Sequence, residues 1–525
     1  MTNPGPAQFS RRRFLGLGGA VVLAAPALLA ACGASSAERS ASRVVERHRD
    51  GILRIGIAAA PGNINPLDSG SEVTRWIAEP IVETLYAYDA NLQSVPLLAV
   101  SEPEVSSDQL AWTVRLRDDV TWHNGDPLIA DDVVATLAHI GDFSAGSEWI
   151  TYMIGYVQRF ESVDDHTVRI ELTRPYGLLR SHLTNLPIVH RDFVARKDTM
   201  MGTGPYKLDS YVPAQSFTTS RYDGYHGDRP AFRGIEYTVF ADGTTRLLNL
   251  RQGAIDLVTA VPTQSLAATR NADGVELVLA EAPLDVLSYV NMTREPFSDD
   301  DFREAVAVSM DRAGVLSRIY GGEGAIGQGP IGPAELGGTP TPDVFAAEPD
   351  YERARTLLAR AKTTSRAFTV TIGTSQTAKE IAEVLAAGWD QVGLDVTIEQ
   401  LAGGPWSNKW LSRGYDLLMN TFQSGFTSGP ANYLVLSPAS STNILSCGYR
   451  NPRVDRLLDT VWATDDDGER EQALRELNQV LADDSVIFPP VYPKLAVAQR
   501  AELSPLDPRT LRVSRLAPQT LHFVD

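Results

Sequence analysis

Cysteine is almost missing from this chain: its 525 residues include two, Cys32 and Cys447. A disulfide framework is therefore excluded, and stability has to come from large apolar cores. Lysine is scarce too, at six of the 47 basic residues, a bias that points to a GC-rich genome more than to a function. Positive charge is outweighed overall: the formal net charge is −18, which argues against nucleic acid and against a surface held to anionic lipid by charge. His123, His139, His166, His182, His190 and His226 are scattered without His-x-x-x-His spacing or paired cysteines, so no metal-site signature is present. A Gly-x-Ser-x-Gly elbow is missing, and no lysine has a serine three residues before it, so the main hydrolase signatures fail. Gly322, Gly324 and Gly327 fit Gly-x-Gly-x-x-Gly, but they follow a helix and run into prolines, so the dinucleotide context is wrong. No repeat of 20 to 50 residues is visible, which removes solenoids and propellers.

What is there begins with an address. Ser10-Arg-Arg-Arg-Phe-Leu15 is a basic start of the twin-arginine type, and the apolar stretch to Ala31 is broken by Gly16, Gly18, Gly19 and Pro26. About 17 diluted apolar residues are marginal for crossing ~30 Å of hydrocarbon. Leu29-Ala-Ala-Cys32 resembles a lipoprotein processing site, at which Cys32 would become the first residue and carry a diacylglyceryl group. Two acyl chains are what stable anchoring requires. The expectation is a signal peptide over residues 1–31 and a lipidated flexible tether over 32–50, rich in small and charged residues.

Beyond the tether, strand and helix patterns alternate. Ile52 to Ile57 reads as a strand running into the turn-forming Pro61-Gly-Asn63-Ile-Asn65-Pro66. Trp112–Leu116 and Leu394–Ile398 alternate apolar and polar residues. Thr377–Val392 is a helix pattern with a capping box at Thr377 and Glu380 and a stop at Gly393. Further helices are predicted at 130–140, 243–252, 300–308, 351–361, 451–463 and 468–482, with an extended Gly/Pro loop between Gly321 and Pro342.

An ordered series of motifs carries a resemblance. In Val114-Arg-Leu-Arg-Asp-Asp-Val-Thr-Trp-His-Asn-Gly-Asp-Pro-Leu-Ile-Ala-Asp-Asp-Val-Val134 a strand ends at Trp122, Asn124-Gly-Asp-Pro127 turns the chain, and Asp131 opens a helix as cap or first-turn anion. Gly202-Thr-Gly-Pro-Tyr206, Arg221-Tyr-Asp-Gly-Tyr225, Asp242–Val258, Leu287–Ile319 and Tyr449-Arg-Asn-Pro-Arg-Val-Asp455 follow in order. Together these resemble the family 5 extracellular solute-binding proteins, the dipeptide and oligopeptide receptors of bacterial ABC importers.

The resemblance implies an α/β, two-lobed periplasmic-binding-protein-like fold (type II, large peptide-binding class) with an extra subdomain in the first lobe. Lobe I would comprise residues 51–86, 204–285 and 488–525, the inserted subdomain 87–203, and lobe II 286–487. It further implies a receptor rather than an enzyme, without cofactor or metal, monomeric and extracytoplasmic. Such a receptor captures a peptide or peptide-like solute between lobes and delivers it to the permease and ATPase subunits, with Cys32 holding it to the bilayer. A non-peptide solute or a metal chelate is the alternative cargo on the same fold.

By the same resemblance, ligand contacts fall on Asn63 and Asn65 after the first strand, on Trp406, and on Phe422, Ser424, Gly425 and Phe426. Peptide receptors of the family carry an aspartate in that last segment for the ligand's α-amine; residues 420–433 here contain no acid, and Gly425 stands at the matching position. A buried ammonium without its partner costs several kcal/mol, so free-amine peptides fit poorly.

Overall fold

The computed structural model describes residues 51–59, 63–68, 72–89, 91–142, 156–281, 284–334, 344–423, 448–513 and 515–524. The expected signal peptide, the tether and Cys32 lie outside them.

The chain starts with β1 (Ile52–Ile57) and α1 (Glu72–Ala78). It continues through β2 (Tyr86–Tyr88), β3 (Ser94–Pro96), β4 (Glu104–Val105), β5 (Ala111–Arg115), α2 (Ala130–Gly141), β6 (Val157–Asp164), β7 (Thr167–Leu172) and α3 (Leu179–Asn185). Then come β8 (Tyr206–Val212), β9 (Ser216–Arg221), β10 (Gly234–Val239), α4 (Gly243–Arg251), β11 (Leu257–Val258), α5 (Leu266–Arg270) and β12 (Val275–Glu281). The next stretch holds β13 (Leu284–Val290), α6 (Asp300–Val308), α7 (Arg312–Tyr320), β14 (Gly324–Ile326), α8 (Tyr351–Arg360), β15 (Ala367–Ile372), α9 (Gln376–Asp390), β16 (Asp395–Gln400), α10 (Gly403–Leu411) and β17 (Leu417–Gln423). Helices α11 (Pro452–Ala463) and α12 (Asp467–Asp483), strand β18 (Val491–Arg500) and α13 (Pro508–Arg512) complete it.

Among the described residues, three sheets carry the architecture. The largest runs β12-β18-β11-β1-β10-β9-β8, with β14 paired to the start of β18. Its centre is parallel, β1 between β10 and β11. The second runs β13-β17-β15-β16, with β15 parallel to both neighbours and β13 antiparallel to β17. The third, β4-β5-β7-β6, is antiparallel and inserted between α1 and β8. The chain passes from the first sheet to the second where β12 gives way to β13, and back where Ile487 bridges Tyr289 just before β18.

Alternation along the second sheet explains how it is covered on both sides. Val286, Val290, Val370, Leu417 and Met419 face a core with α6, α8 and α9, where Phe302, Leu358 and Trp389 are buried. Leu287, Tyr289 and Leu418 face the other way, toward Val454, Leu458, Leu474 and Leu477 of α11 and α12.

Several sequence expectations shift in register. α9 is capped by Ser375, which accepts from the Ala378 N–H, and not by Thr377, because the chain is already helical at Gln376. Gly393, with φ +79°, stops that helix as expected. The N-cap of α2 is Ile129, so Asp131 is only a first-turn anion, and the strand expected to reach Trp122 is β5, ending at Arg115. The Gly/Pro loop contains β14, because 324–326 completes the open edge of β18.

The long motif is architectural. Asp132 is wholly buried and takes four donors: Trp122 Nε1 at 3.0 Å, the Ile129 N–H at 3.1 Å, and the N–H and Nη1 of Arg191 at 3.2 and 2.9 Å. The Gly-Thr-Gly-Pro motif packs a bare backbone against another: a Cβ on Gly202 would lie 1.9 Å from the Ile81 carbonyl oxygen. Asp132→Ala would strand a buried indole N–H and the Arg191 guanidinium, so urea unfolding should show a loss of about 3 kcal/mol.

Two histidines are held neutral inside the inserted region. Desolvation lowers His123 to about 4 and His182 to about 3 from the usual 6.5. The unfolded chain binds those protons as pH falls through 6.5 while the folded chain refuses them, so stability declines from pH 6.5 toward 4. By pH 4.5 each should remove up to roughly 2 kcal/mol. His182→Phe should flatten that slope in urea titrations at stepped pH.

Candidate ligand-binding site

In open sheets with parallel strands, ligands sit beyond the carboxyl ends, where side chains and helix N-termini converge and no ladder continues. Here those ends are the loop after β1 in the first sheet, and the segments after β15, β16 and β17 in the second.

The loop after β1 is held by its own amides. Asn65 is 1% exposed; its Nδ2 donates to the Val194 carbonyl at 2.7 Å and its Oδ1 accepts from the Leu67 N–H at 2.9 Å. The Asn65 N–H in turn donates to Asn63 Oδ1 at 2.8 Å, and Asn63 Nδ2 donates to Asp68 Oδ2 at 2.8 Å. His139 Nε2 closes on Asp68 Oδ1 at 3.1 Å, tying the loop to α2. Asn63 and Asn65 therefore come together, and the Asn65 amide serves the loop's shape.

Trp406 lies on α10 and not in a loop, one turn before Trp410. The two rings are 5.3 Å apart between centroids, tilted by 48°, and pack against the larger hydrophobic core. Both indole Nε1 atoms are shielded from solvent, and neither has an acceptor among the described residues. Buried N–H groups nearly always find an acceptor, so a pair without one beside the end of β16 is the strongest polar feature of this region. Lys409, between them, is bonded to Glu399, which also accepts from Thr371 Oγ1 at 3.0 Å. That lysine holds the Glu399 carboxyl below its ordinary range, and its own charge is thereby committed. The i+4 spacing of Trp410 from Trp406 is the sequence signal that brings the two rings together on one helix face.

Phe422 lies near the end of β17, opposite Asp285 in register. Ser424, Gly425 and Phe426 lie outside the described residues.

A separate cavity of about 240 Å³ lies within the first lobe, lined by Glu79, Glu83, Tyr88, Asn185, Tyr225 and Arg515 among others. Its acids are already satisfied: Glu79 by Arg515 Nε at 2.7 Å and two backbone N–H groups, Glu83 by Thr203, Tyr225 and His226. None of its lining residues comes from the second sheet, so it is not the site between strand ends. Among the described residues no group of three His, Cys, Asp or Glu side chains could hold a metal ion, and no helix is long and apolar enough to cross a membrane.

This architecture, two α/β units joined by two crossings of the chain, is that of a two-lobed protein. Residues 93–443 match the bacterial extracellular solute-binding proteins, family 5 Middle, and the chain belongs to that family. Among curated relatives, the probable D,D-dipeptide-binding periplasmic protein DdpA of Escherichia coli (strain K12) is 23% identical over 457 residues, covering 83% of this chain and 87% of that protein. Among solved structures, the periplasmic binding protein DppA of Helicobacter pylori, in complex with the peptide STSA, superposes with a TM-score of 0.78 at 19% identity, over 92% of this chain and all of the other. NikA of Brucella suis, in complex with Fe(III)-EDTA, reaches the same TM-score at 19% identity, over 90% of this chain and all of the other. The fold is thus the two-lobed type II solute-binding fold.

Asn65→Ala would leave the Val194 carbonyl and the Leu67 N–H without their partner. A loss of about 1–3 kcal/mol in urea unfolding is the expected outcome.

Proposed function

We propose that this chain is the extracytoplasmic receptor of an ABC importer, capturing a peptide or peptide-like solute between its lobes and presenting it to the membrane permease and its ATPase. It acts by binding alone, with no bond in the solute broken. Solute favours the closed form because only there does it touch both lobes. The observation that supports the reading is the pair of indole N–H groups of Trp406 and Trp410 beside a carboxyl strand end, which have no acceptor among the described residues and which a peptide carbonyl or carboxylate would satisfy.

Asn63, Asn65, Trp406, Phe422, Ser424, Gly425 and Phe426 are the proposed contacts, with Asn65 acting through the shape of its loop. The lack of an acid in residues 420–433 favours a ligand whose amine is capped or absent. A metal chelate is the second reading, favoured by the likeness to NikA. We further propose that residues 1–31 are removed as a twin-arginine-type signal and that Cys32, lipidated, holds the monomer to the outer face of the cell membrane.

Native mass spectrometry of the chain expressed without residues 1–31, before and after gentle unfolding, should release a small peptide-like mass with a blocked amine; a released metal chelate would favour the second reading, and turnover of peptides or esters by the pure protein would overturn the receptor assignment. Trp406→Phe keeps the ring and removes one donor. With the released solute, calorimetry should show affinity weakened by about 5–30-fold, the equivalent of 1–2 kcal/mol.

A further inference from the structure

Among the described residues, the inserted subdomain and the second lobe meet at a tightly built contact. Gly177, between β7 and α3, donates its N–H to the Trp462 carbonyl at 2.8 Å, near the end of α11. A Cβ at this glycine would lie 1.9 Å from the Thr464 carbonyl oxygen and 2.5 Å from its carbon, both backbone atoms. The Thr464 side cannot give way easily. Its carbonyl also accepts from Arg470 Nη2 and its hydroxyl donates to Glu469 Oε2, which locks the turn between α11 and α12.

Around this backbone contact lies an aromatic cluster shared by the two sides. Tyr156 and Tyr176 stack with centroids 4.1 Å apart, and Trp462 meets the Tyr156 ring edge-on at 5.9 Å. All three are at most 4% exposed. Arg174 covers the Tyr156 ring at 4.2 Å, and Tyr176 OH pairs with His182 Nε2 at 2.5 Å, so the subdomain's half is held in place from behind. The two halves belong to bodies that are otherwise joined through the crossings between β12 and β13 and before β18.

We infer that Gly177, Tyr156 and Tyr176 of the inserted subdomain and Trp462–Thr464 of the second lobe form a clasp that holds the lobes shut even without solute, with Gly177 present because any side chain there would wedge the seam open. The inference rests on the two-lobed receptor reading but on no particular ligand. Such a clasp lowers the free energy of the closed form directly, so it sets how much of the solute's binding energy is consumed in closing the lobes. Its residues act on affinity from outside the strand-end site.

Hydrogen exchange read by mass spectrometry on the solute-free chain tests this, with no added ligand. In the wild type the Gly177 amide and the peptide over 456–465 should be protected, yet exchange faster than the β5 and β7 amides, because opening the seam costs less than unfolding the sheet. Gly177→Ala should accelerate exchange at both sides of the seam by tenfold or more while leaving the β5 and β7 amides and the far-ultraviolet spectrum unchanged. Trp462→Leu, which keeps the backbone acceptor and an apolar side chain, should accelerate the Gly177 amide by a smaller factor, and it decides the matter if Gly177→Ala does not fold. A Gly177 amide unprotected in the wild type would show that the clasp is not formed without solute and overturn the proposal. Protection retained in both variants would overturn it equally, since the seam would then not depend on these contacts. Neither result bears on whether the cargo is a peptide, which the mass-spectrometric experiment decides separately.

Discussion

Two passages of the chain join the two sheets, one between β12 and β13 and one before β18, and the rest of the molecule is arranged around them. A strand paired along its length resists shear because every ladder hydrogen bond would have to break together. Seven registered pairs hold β12 to β18 and seven hold β13 to β17, so each sheet is stiff up to the strand that hands the chain to the other. The proposed placement of the binding region follows from the same geometry. The parallel strands of both sheets end in loops, and only where two such ends share a region can one solute bias the position of both bodies.

Within each lobe, buried charge is used to tie off backbone. Arg246 donates to the Phe240 and Ala260 carbonyls and Arg303 to that of Phe297. Arg312, 1% exposed, donates to the Ala307 carbonyl near the end of α6 and lies 4.3 Å from the Phe345 ring. Desolvation lowers its guanidinium to about 9, and the carbonyl end of the helix supplies the partial negative charge that keeps such burial tolerable. Asp132 and Glu79 do the converse, collecting backbone N–H groups. The motifs that make the family legible are largely these fastenings, which is why they say much about architecture and little about cargo.

Helix positions were readable because apolar periodicity is local: α2, α4, α6, α8, α11 and α12 lie within one or two residues of where the pattern puts them. Caps were less readable. Thr377 and Ser375 are equivalent to the eye, and only the backbone at Gln376 decides between them. β14 was invisible because a three-residue strand in a Gly/Pro run gains its pairing from β18, some 165 residues away. Helix α10 was missed because Gly403-Gly404-Pro405 reads as a loop, although proline is well tolerated in a first helical turn. For the site, Asn65 and Trp406 were legible as candidates, but not the difference between them: one amide engaged by its own chain, one indole without an acceptor among the described residues.

The sequence by itself determined the order of the elements and the lack of a disulfide framework, because these depend on periodicity, turn chemistry and composition, all properties of neighbouring residues; the class of fold it implied only through the ordered motifs that resemble the family. Tertiary structure alone decided that Asp132 rather than Asp131 is the buried anchor, that Lys409 is neutralised by Glu399, and that Gly177 meets Thr464 across the seam. Each of these is a contact between segments distant in the chain or a choice between adjacent identical residues, and it is settled by which backbone atoms come within about 3 Å of one another once both lobes are packed.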